Sequence, residues 1–276
     1  MAWLQAFQDR VVLVTGASSG IGRATAVAFG VAGARVALVA RRRPELERVA
    51  GEIVASGGQA LVVPADLTER AQVAACFEAV TGAYGPIDVV VNNAGILLPG
   101  PVTELRAQDL DAMLRVNLFG ALYVMQEAVA RMQARGAGTI VNVASLAGRR
   151  GVTPLGGYCA TKFALVGLTE ALRTELDGSG VHVALVLPGV VDTPMAEAVE
   201  QDPDFVDLWP PALNMPPSWV VWAIFAAVRF RLVEVSVPPG AATLEKLAAL
   251  APGMADRVVR WARSMSHWVA DATRGG

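Results

Sequence analysis

Cysteine is nearly absent. The 276-residue chain carries two, Cys76 and Cys159, which fit neither a disulfide framework nor a thiolate metal site. Histidine is as scarce. His182 and His267 form no ligand cluster, and neither an HExxH nor a CxxC pattern occurs, so no bound metal is expected. Charged residues make up 17 % and nearly cancel, leaving a formal net charge of −2. That argues against a nucleic-acid surface. Long hydrophobic runs are missing too. Trp219 to Val228 stops at Arg229, well short of the roughly 20 residues a bilayer span needs. Met1 to Arg10 has no basic stretch leading into an apolar one, so a soluble, reducing, cytoplasmic setting is the expectation.

What the chain does have is Ala, Val, Leu and Gly, enough for one large α/β core. Short β-rich runs alternate with longer amphipathic stretches. Strands are predicted at 11–15, 35–40, 60–64, 87–92, 138–144 and 181–188. Helices are predicted up to about 32, over 45–56 and 71–84, and then as two long ones near 107–135 and 157–177. Continuous runs such as VVLV and DVVV suit strands buried on both faces. Strands separated by helices imply right-handed crossovers and a doubly wound parallel sheet, a Rossmann fold, with ligands at the C-terminal strand ends. Residues 194–217 hold six prolines and read as a loop with short helices. The chain therefore divides into a dinucleotide-binding catalytic core (1–195), a substrate lid with the last core elements (196–240) and an amphipathic helical extension (241–276).

Three groups of residues point to chemistry. Gly16, Gly20 and Gly22, with Ser18, Ser19 and Ile21 between them, lie between a predicted strand and helix. Such a turn lets a pyrophosphate approach the backbone and the amides of the helix start. After the second strand the chain reads Arg41-Arg42-Arg43, with no carboxylate for the ribose hydroxyls. Guanidinium groups suit a phosphate, so NADP (NADPH) is expected over NAD, with Arg41 as the phosphate partner. Asp66 is placed to accept from the adenine amino group and Leu67 to pack on the ring. Asp66 to Glu69 also resembles a capping box. Asn92 to Gly95 ends the fourth strand, and its small residues leave room for a ribose. Finally, Tyr158 and Lys162 stand one helical turn apart, thirteen residues after Ser145. A phenol beside an ammonium is a proton donor tuned toward working pH, and a nearby hydroxyl can donate to a carbonyl oxygen.

Together TGASSGIG (15–22), NNAG (92–95), Asn117, Ser145, YCATK (158–162) and PGVVDTPM (188–195) resemble the short-chain dehydrogenase/reductase family, in its main single-domain branch, over about residues 8–195. The resemblance implies a general acid/base role for Tyr158. It implies that Lys162 binds the nicotinamide ribose and lowers the Tyr158 pKa, and that Ser145 holds the substrate oxygen. Asn117 would position a water for a proton relay through Lys162. Asn93, Ala94 and Gly95 would border the cofactor, and Pro188, Gly189, Val191 and Thr193 would cover the nicotinamide. It also implies a homodimer or homotetramer built through the two long helices. Cys159 stands where serine is frequent, and Ser19 where some NADP-dependent members carry a basic residue.

Substrate choice is expected in 146–157 and 195–217, where Leu146, Leu155, Met195, Phe205, Leu208 and Trp209 suggest an apolar or aromatic ketone or alcohol. The tail places Met254, Val258, Trp261, Met265 and Trp268 on one stripe. Packing against the core or a second subunit is the main reading of that stripe, and contact with a membrane surface the secondary one. The alternative function is a non-catalytic, NADP-binding regulator on the same fold. A methyltransferase on a similar sheet would have no need of the Tyr/Lys pair.

Overall fold

The computed structural model describes residues 4–197, 199, 214–254 and 257. Seven strands form one parallel sheet: β1 (Val11–Thr15), β2 (Arg35–Ala40), β3 (Gln59–Pro64), β4 (Val89–Asn92), β5 (Gly138–Val143), β6 (Val181–Pro188) and β7 (Glu234–Val237). Their order is β3-β2-β1-β4-β5-β6-β7. The order reverses between β1 and β4, which opens a crevice beyond the strand ends, where doubly wound sheets take their ligands.

Side chains alternate between two cores, as a period of two requires. Val12, Val14, Val89, Val91, Val141 and Val186 enter one core, with residues of α1 (Gly20–Val31), α2 (Arg43–Ala55) and α8 (Pro217–Phe230). Val11, Leu13, Val90, Ile140, Val183 and Leu185 enter the other, under α3 (Arg70–Tyr84), α5 (Ala121–Arg135) and α6 (Gly156–Glu175). In the first core Phe29 of α1 meets Phe225 of α8 with ring centroids 4.3 Å apart, and Phe7 contacts both at 5.2 and 4.7 Å. Each such pair adds about 1 kcal/mol beyond its buried area, so the segment before β1 is anchored on the sheet's outer layer.

Two expectations are corrected. The helix predicted over 107–135 is not uniform: α4 (Ala107–Leu114) and α5 are joined by a π-helical segment, Arg115–Gly120. The apolar pattern runs through both helices without a break, so it carries no sign of the wider turn. The capping box at Asp66–Glu69 does not form. Helix α3 begins at Arg70 with Glu69 as its N-cap. The Asp66 carboxylate instead accepts from the Thr68 amide (2.9 Å) and hydroxyl (2.8 Å).

Beyond β6 come a short helix, α7 (Pro194–Glu197), then α8 and β7, and finally α9 (Ala241–Ala248), whose Ala242 is buried in the second core. Of the predicted tail stripe, Met254 is exposed, and the other four members lie outside the described residues. No described helix is long and apolar enough to cross a membrane.

Candidate active site

A cavity of about 850 Å³ opens at the β1/β4 crevice. All but two of the catalytic and cofactor-binding residues proposed from sequence border it. The exceptions are Gly22 and Asn117, and both serve from behind.

The dinucleotide end is built by close backbone approach. Gly16 has φ +66°, and a Cβ there would come within 2.9 Å of the Ala94 Cα. A Cβ at Gly22 would lie 2.2 Å from the Gly16 carbonyl oxygen. The turn from β1 is thereby pressed against the end of β4. Thr15 locks the contact. Its hydroxyl accepts from the amides of Asn93 (2.9 Å) and Ala94 (3.0 Å), while Asn93 Nδ2 donates to the Thr15 carbonyl (3.1 Å). Ser19 is the N-cap of α1 and supplies no side-chain cap, so the first amides of the helix are left for an anion.

Three arginines follow β2, and they differ. Arg43 pairs with Glu47, and Arg42 with Glu45. Arg41 has no ion pair within 4 Å among the described residues and borders the cavity. Across from it, Asp66 is held below the usual carboxylate range, chiefly by the Thr68 amide and also by the Arg41 charge. Arg42 also borders the cavity, and its guanidinium reaches the Ser18 hydroxyl at 3.5 Å. A glycine cradle, open helix amides and a guanidinium without an ion pair fit a nicotinamide dinucleotide.

The reacting end lies where β5 and α6 meet. Ser145 is extended at the end of β5. Its hydroxyl donates to the Pro188 carbonyl (3.3 Å) and accepts from the Ala147 amide (3.1 Å). Tyr158 and Lys162 are both buried on α6. Lys162 Nζ donates to the Val143 carbonyl (3.1 Å) and sits 5.6 Å from the Tyr158 ring centroid. Burial pushes the Tyr158 phenol well above its ordinary value, and the nearby Ser145 hydroxyl pulls the other way. Burial lowers Lys162 from 10.5 to about 8. Desolvation thus pushes both groups toward their neutral forms.

Asn117 is wholly buried in the π segment. Its Oδ1 accepts from the Ile96 amide (2.7 Å). Its Nδ2 donates to the Ile96 carbonyl (2.9 Å) and the Thr161 hydroxyl (3.0 Å), which in turn donates to the Tyr158 carbonyl (2.8 Å). The side-chain amide is therefore committed to clamping the segment after β4 onto α6. Beneath this, Asn92 donates to Asn142 (3.1 Å) and Asn142 to Thr169 (3.0 Å), tying β4, β5 and α6 by a buried polar chain.

Leu146, Leu155 and Met195 border the cavity as expected, and Val152 and Val199 fall within the same two segments, 146–157 and 195–217; Ile96 and Leu97 also border it and were not anticipated. Phe205, Leu208 and Trp209 lie outside the described residues. Arg150, within the first of those segments, and Glu245 also border the cavity, and nothing in the sequence pattern marks Glu245.

The family model for short chain dehydrogenases matches residues 10–204. The ketoacyl reductase HetN of Nostoc sp. is 33% identical over 262 residues, covering 91% of this chain and 88% of its own length. Among solved structures, a single-residue variant of the actinorhodin polyketide ketoreductase with NADPH superposes with TM-score 0.78 at 32% identity, covering 84% of this chain and 97% of that one. A short-chain dehydrogenase/reductase from Burkholderia phymatum in complex with NAD gives TM-score 0.82 at 27% identity, covering 90% and 95%. With the seven-stranded parallel sheet and the match over most of its length, the chain belongs to the short-chain dehydrogenase family of oxidoreductases.

Proposed function

We propose that this protein is an NADP-dependent oxidoreductase that interconverts a carbonyl and an alcohol, with Tyr158 as general acid in reduction and general base in oxidation. The observation that carries the reading is that Ser145, Tyr158 and Lys162 line the same cavity as the glycine turn and Arg41, with Lys162 Nζ 5.6 Å from the Tyr158 ring centroid. A reduced nicotinamide bound there supplies the hydride. The chain's own residues handle the oxygen and the proton. Ser145 and Tyr158 donate hydrogen bonds to the carbonyl oxygen, whose negative charge grows as the carbon is reduced. Tyr158 then gives up its proton to that oxygen, and the O–H bond of the phenol breaks as the alcohol O–H forms. Burial keeps the phenol protonated until the oxygen becomes the stronger base. The Lys162 ammonium stabilises the phenolate left behind. Asn117 acts as a positioning residue, through Ile96 and Thr161.

Arg41 supports NADP over NAD, because a guanidinium with no ion pair among the described residues is a ready phosphate partner. Leu146, Val152, Leu155, Met195 and Val199 support an apolar or aromatic ketone. Phe119 and Phe163 are exposed beside α5 and on α6, which supports pairing of copies into a homodimer or homotetramer. The test is NADPH oxidation at 340 nm against ketones, aldehydes and quinones, with Tyr158→Phe alongside. Turnover in the wild type that falls at least ~1000-fold in the variant, with NADPH affinity kept, is the expected result. NADPH binding with no turnover on any carbonyl would turn the reading toward the non-catalytic regulator.

A further inference from the structure

The residues assigned so far all precede residue 204, where the family match ends. One wall of the cavity does not. Glu245, on α9, borders the same space as Arg150, Val152, Leu155 and Met195. The helix that carries it is tied to the reacting end by a chain of ion pairs. Lys246 donates to Glu234 of β7 at 2.7 Å, and the other oxygen of Glu234 accepts from Arg149 at 2.6 Å. Arg149 also donates to Glu170 of α6 at 2.6 Å. Arg149 stands four residues past Ser145, just beyond the turn Leu146–Gly148. Its side chain is 15% exposed and that of Glu234 is 19% exposed. Water screens this pair less than it screens an open surface pair, and the network as a whole holds α9 more firmly than one exposed bridge would.

Glu245 is treated differently from its neighbour Lys246. Among the described residues its carboxylate takes part in no hydrogen bond or ion pair within bonding distance. Burial still pushes its carboxyl upward, against a weaker opposing pull from Arg150. A partly desolvated carboxylate with no donor is unfavourable, and a ligand that brings a donor relieves it. A ligand that brings a second anion makes it worse.

We propose that Glu245 is a specificity-determining residue: it accepts a hydrogen bond from a hydroxyl or ammonium group on the substrate end remote from the reacting carbonyl, and disfavours a carboxylate or phosphate there. Lys246, Glu234 and Arg149 are positioning residues that hold α9 in place for this contact. The inference rests on the carbonyl reading, which sets the reacting end at Ser145 and Tyr158.

The test uses the full chain with NADPH and three acetophenones, whose para position carries hydrogen, a hydroxymethyl group or a carboxylate. Affinity is followed by ligand-observed NMR titration, and turnover at 340 nm. In the wild type the hydroxymethyl ketone is expected to exceed the carboxylate in both affinity and kcat/KM by on the order of tenfold. Glu245→Gln, which keeps the shape, is expected to shrink that ratio to about twofold, mostly through KM. Lys246→Met is expected to raise KM for the hydroxymethyl ketone about threefold while kcat stays near wild type. An unchanged ratio in Glu245→Gln, or equal wild-type binding of all three compounds, overturns the inference even if turnover is robust. A binding order that Glu245→Gln removes, in a protein that reduces none of the three, supports the role of Glu245 and counts against the carbonyl reading alone.

Discussion

Replacing Gly22 by alanine tests whether the turn between β1 and α1 is held by close contact alone. The φ of Gly22 is not in the left-handed region, so alanine meets no backbone strain there. The obstacle is steric. A Cβ would lie 2.2 Å from the Gly16 carbonyl oxygen and 2.6 Å from Asn93 Nδ2. Neither neighbour yields easily, because Gly16 is backbone and Asn93 Nδ2 is held by the Thr15 carbonyl at 3.1 Å. Forcing extra volume into such a contact costs about 1–3 kcal/mol, and losing the Asn93 bond adds about 1 kcal/mol. In a chain of this size each kcal/mol shifts Tm by about 2–4 °C, so a fall of roughly 5–15 °C is expected. NADPH affinity should fall at least ~10-fold as well, since the displaced turn is the proposed phosphate cradle. Gly51 is the control. It lies inside α2 with nothing within 4 Å of its missing Cβ, and alanine there should stabilise by about 0.5–1 kcal/mol. Thermal melts and fluorescence titration of NADPH read both variants. A Gly22→Ala protein with the melting point and NADPH affinity of the wild type would refute the packing argument.

Three other perturbations have defined outcomes. Arg41→Ala should weaken NADPH binding by roughly 10- to 100-fold, the worth of a charge-assisted pair, and leave NADH binding unchanged; equal losses for both cofactors would remove Arg41 from the phosphate site. Asn117→Ala strips partners from the Ile96 amide and carbonyl and from Thr161 at once, so it should destabilise by about 3 kcal/mol and lower Tm accordingly; a Tm within about 2 °C of wild type would show that the clamp contributes little. Lys162 tests the electrostatics. Its pKa falls from 10.5 to about 8 on folding, so the folded state binds the proton less tightly, and stability is lost as pH falls from 10.5 toward 8. Lys162→Met should therefore gain on the wild type by about 2 kcal/mol between about pH 9.5 and about pH 7, measured by denaturant unfolding, whereas a gap that is constant with pH would mean Lys162 is not desolvated.

The fold was legible because a parallel sheet leaves a plain trace. Val11 to Thr15 and Val89 to Asn92 are apolar at nearly every consecutive position, and only a strand covered on both faces needs that. The predicted bounds miss by one or two residues where a run extends past its last ladder bond, as at Ile87, which precedes β4 proper. The π segment was not legible. Its residues fit an α-helical apolar pattern, and what distinguishes it is the clamp on Ile96, a contact across 21 residues that no local periodicity encodes. Asp66 misled for a related reason. Serine-like acceptors followed by Glu at the third position suit a cap, yet Thr68 offered two closer donors and took the carboxylate first.

The site divides along the same line. The glycine turn, the serine and the Tyr/Lys pair are readable because each sits on one element whose own geometry dictates the residue type. The electrostatics are not, since they depend on how much water the surrounding elements exclude. From spacing alone an ammonium four residues from a phenol lowers the phenol; in the folded chain both groups are buried, and each is pushed toward its neutral form. That difference bears on function. A phenol already lowered would spend part of its time ionised and could not donate. On the proposed reading, a phenol kept neutral by burial donates when negative charge appears on the substrate oxygen, and only then does the ammonium gain a phenolate to stabilise. Glu245 lies furthest from what a sequence shows, because the placement of α9 at the cavity depends on the contacts of Lys246, Glu234 and Arg149 and on the burial of Ala242. On the proposed reading, substrate selection depends on ion pairs between distant segments, while the chemistry depends on local motifs.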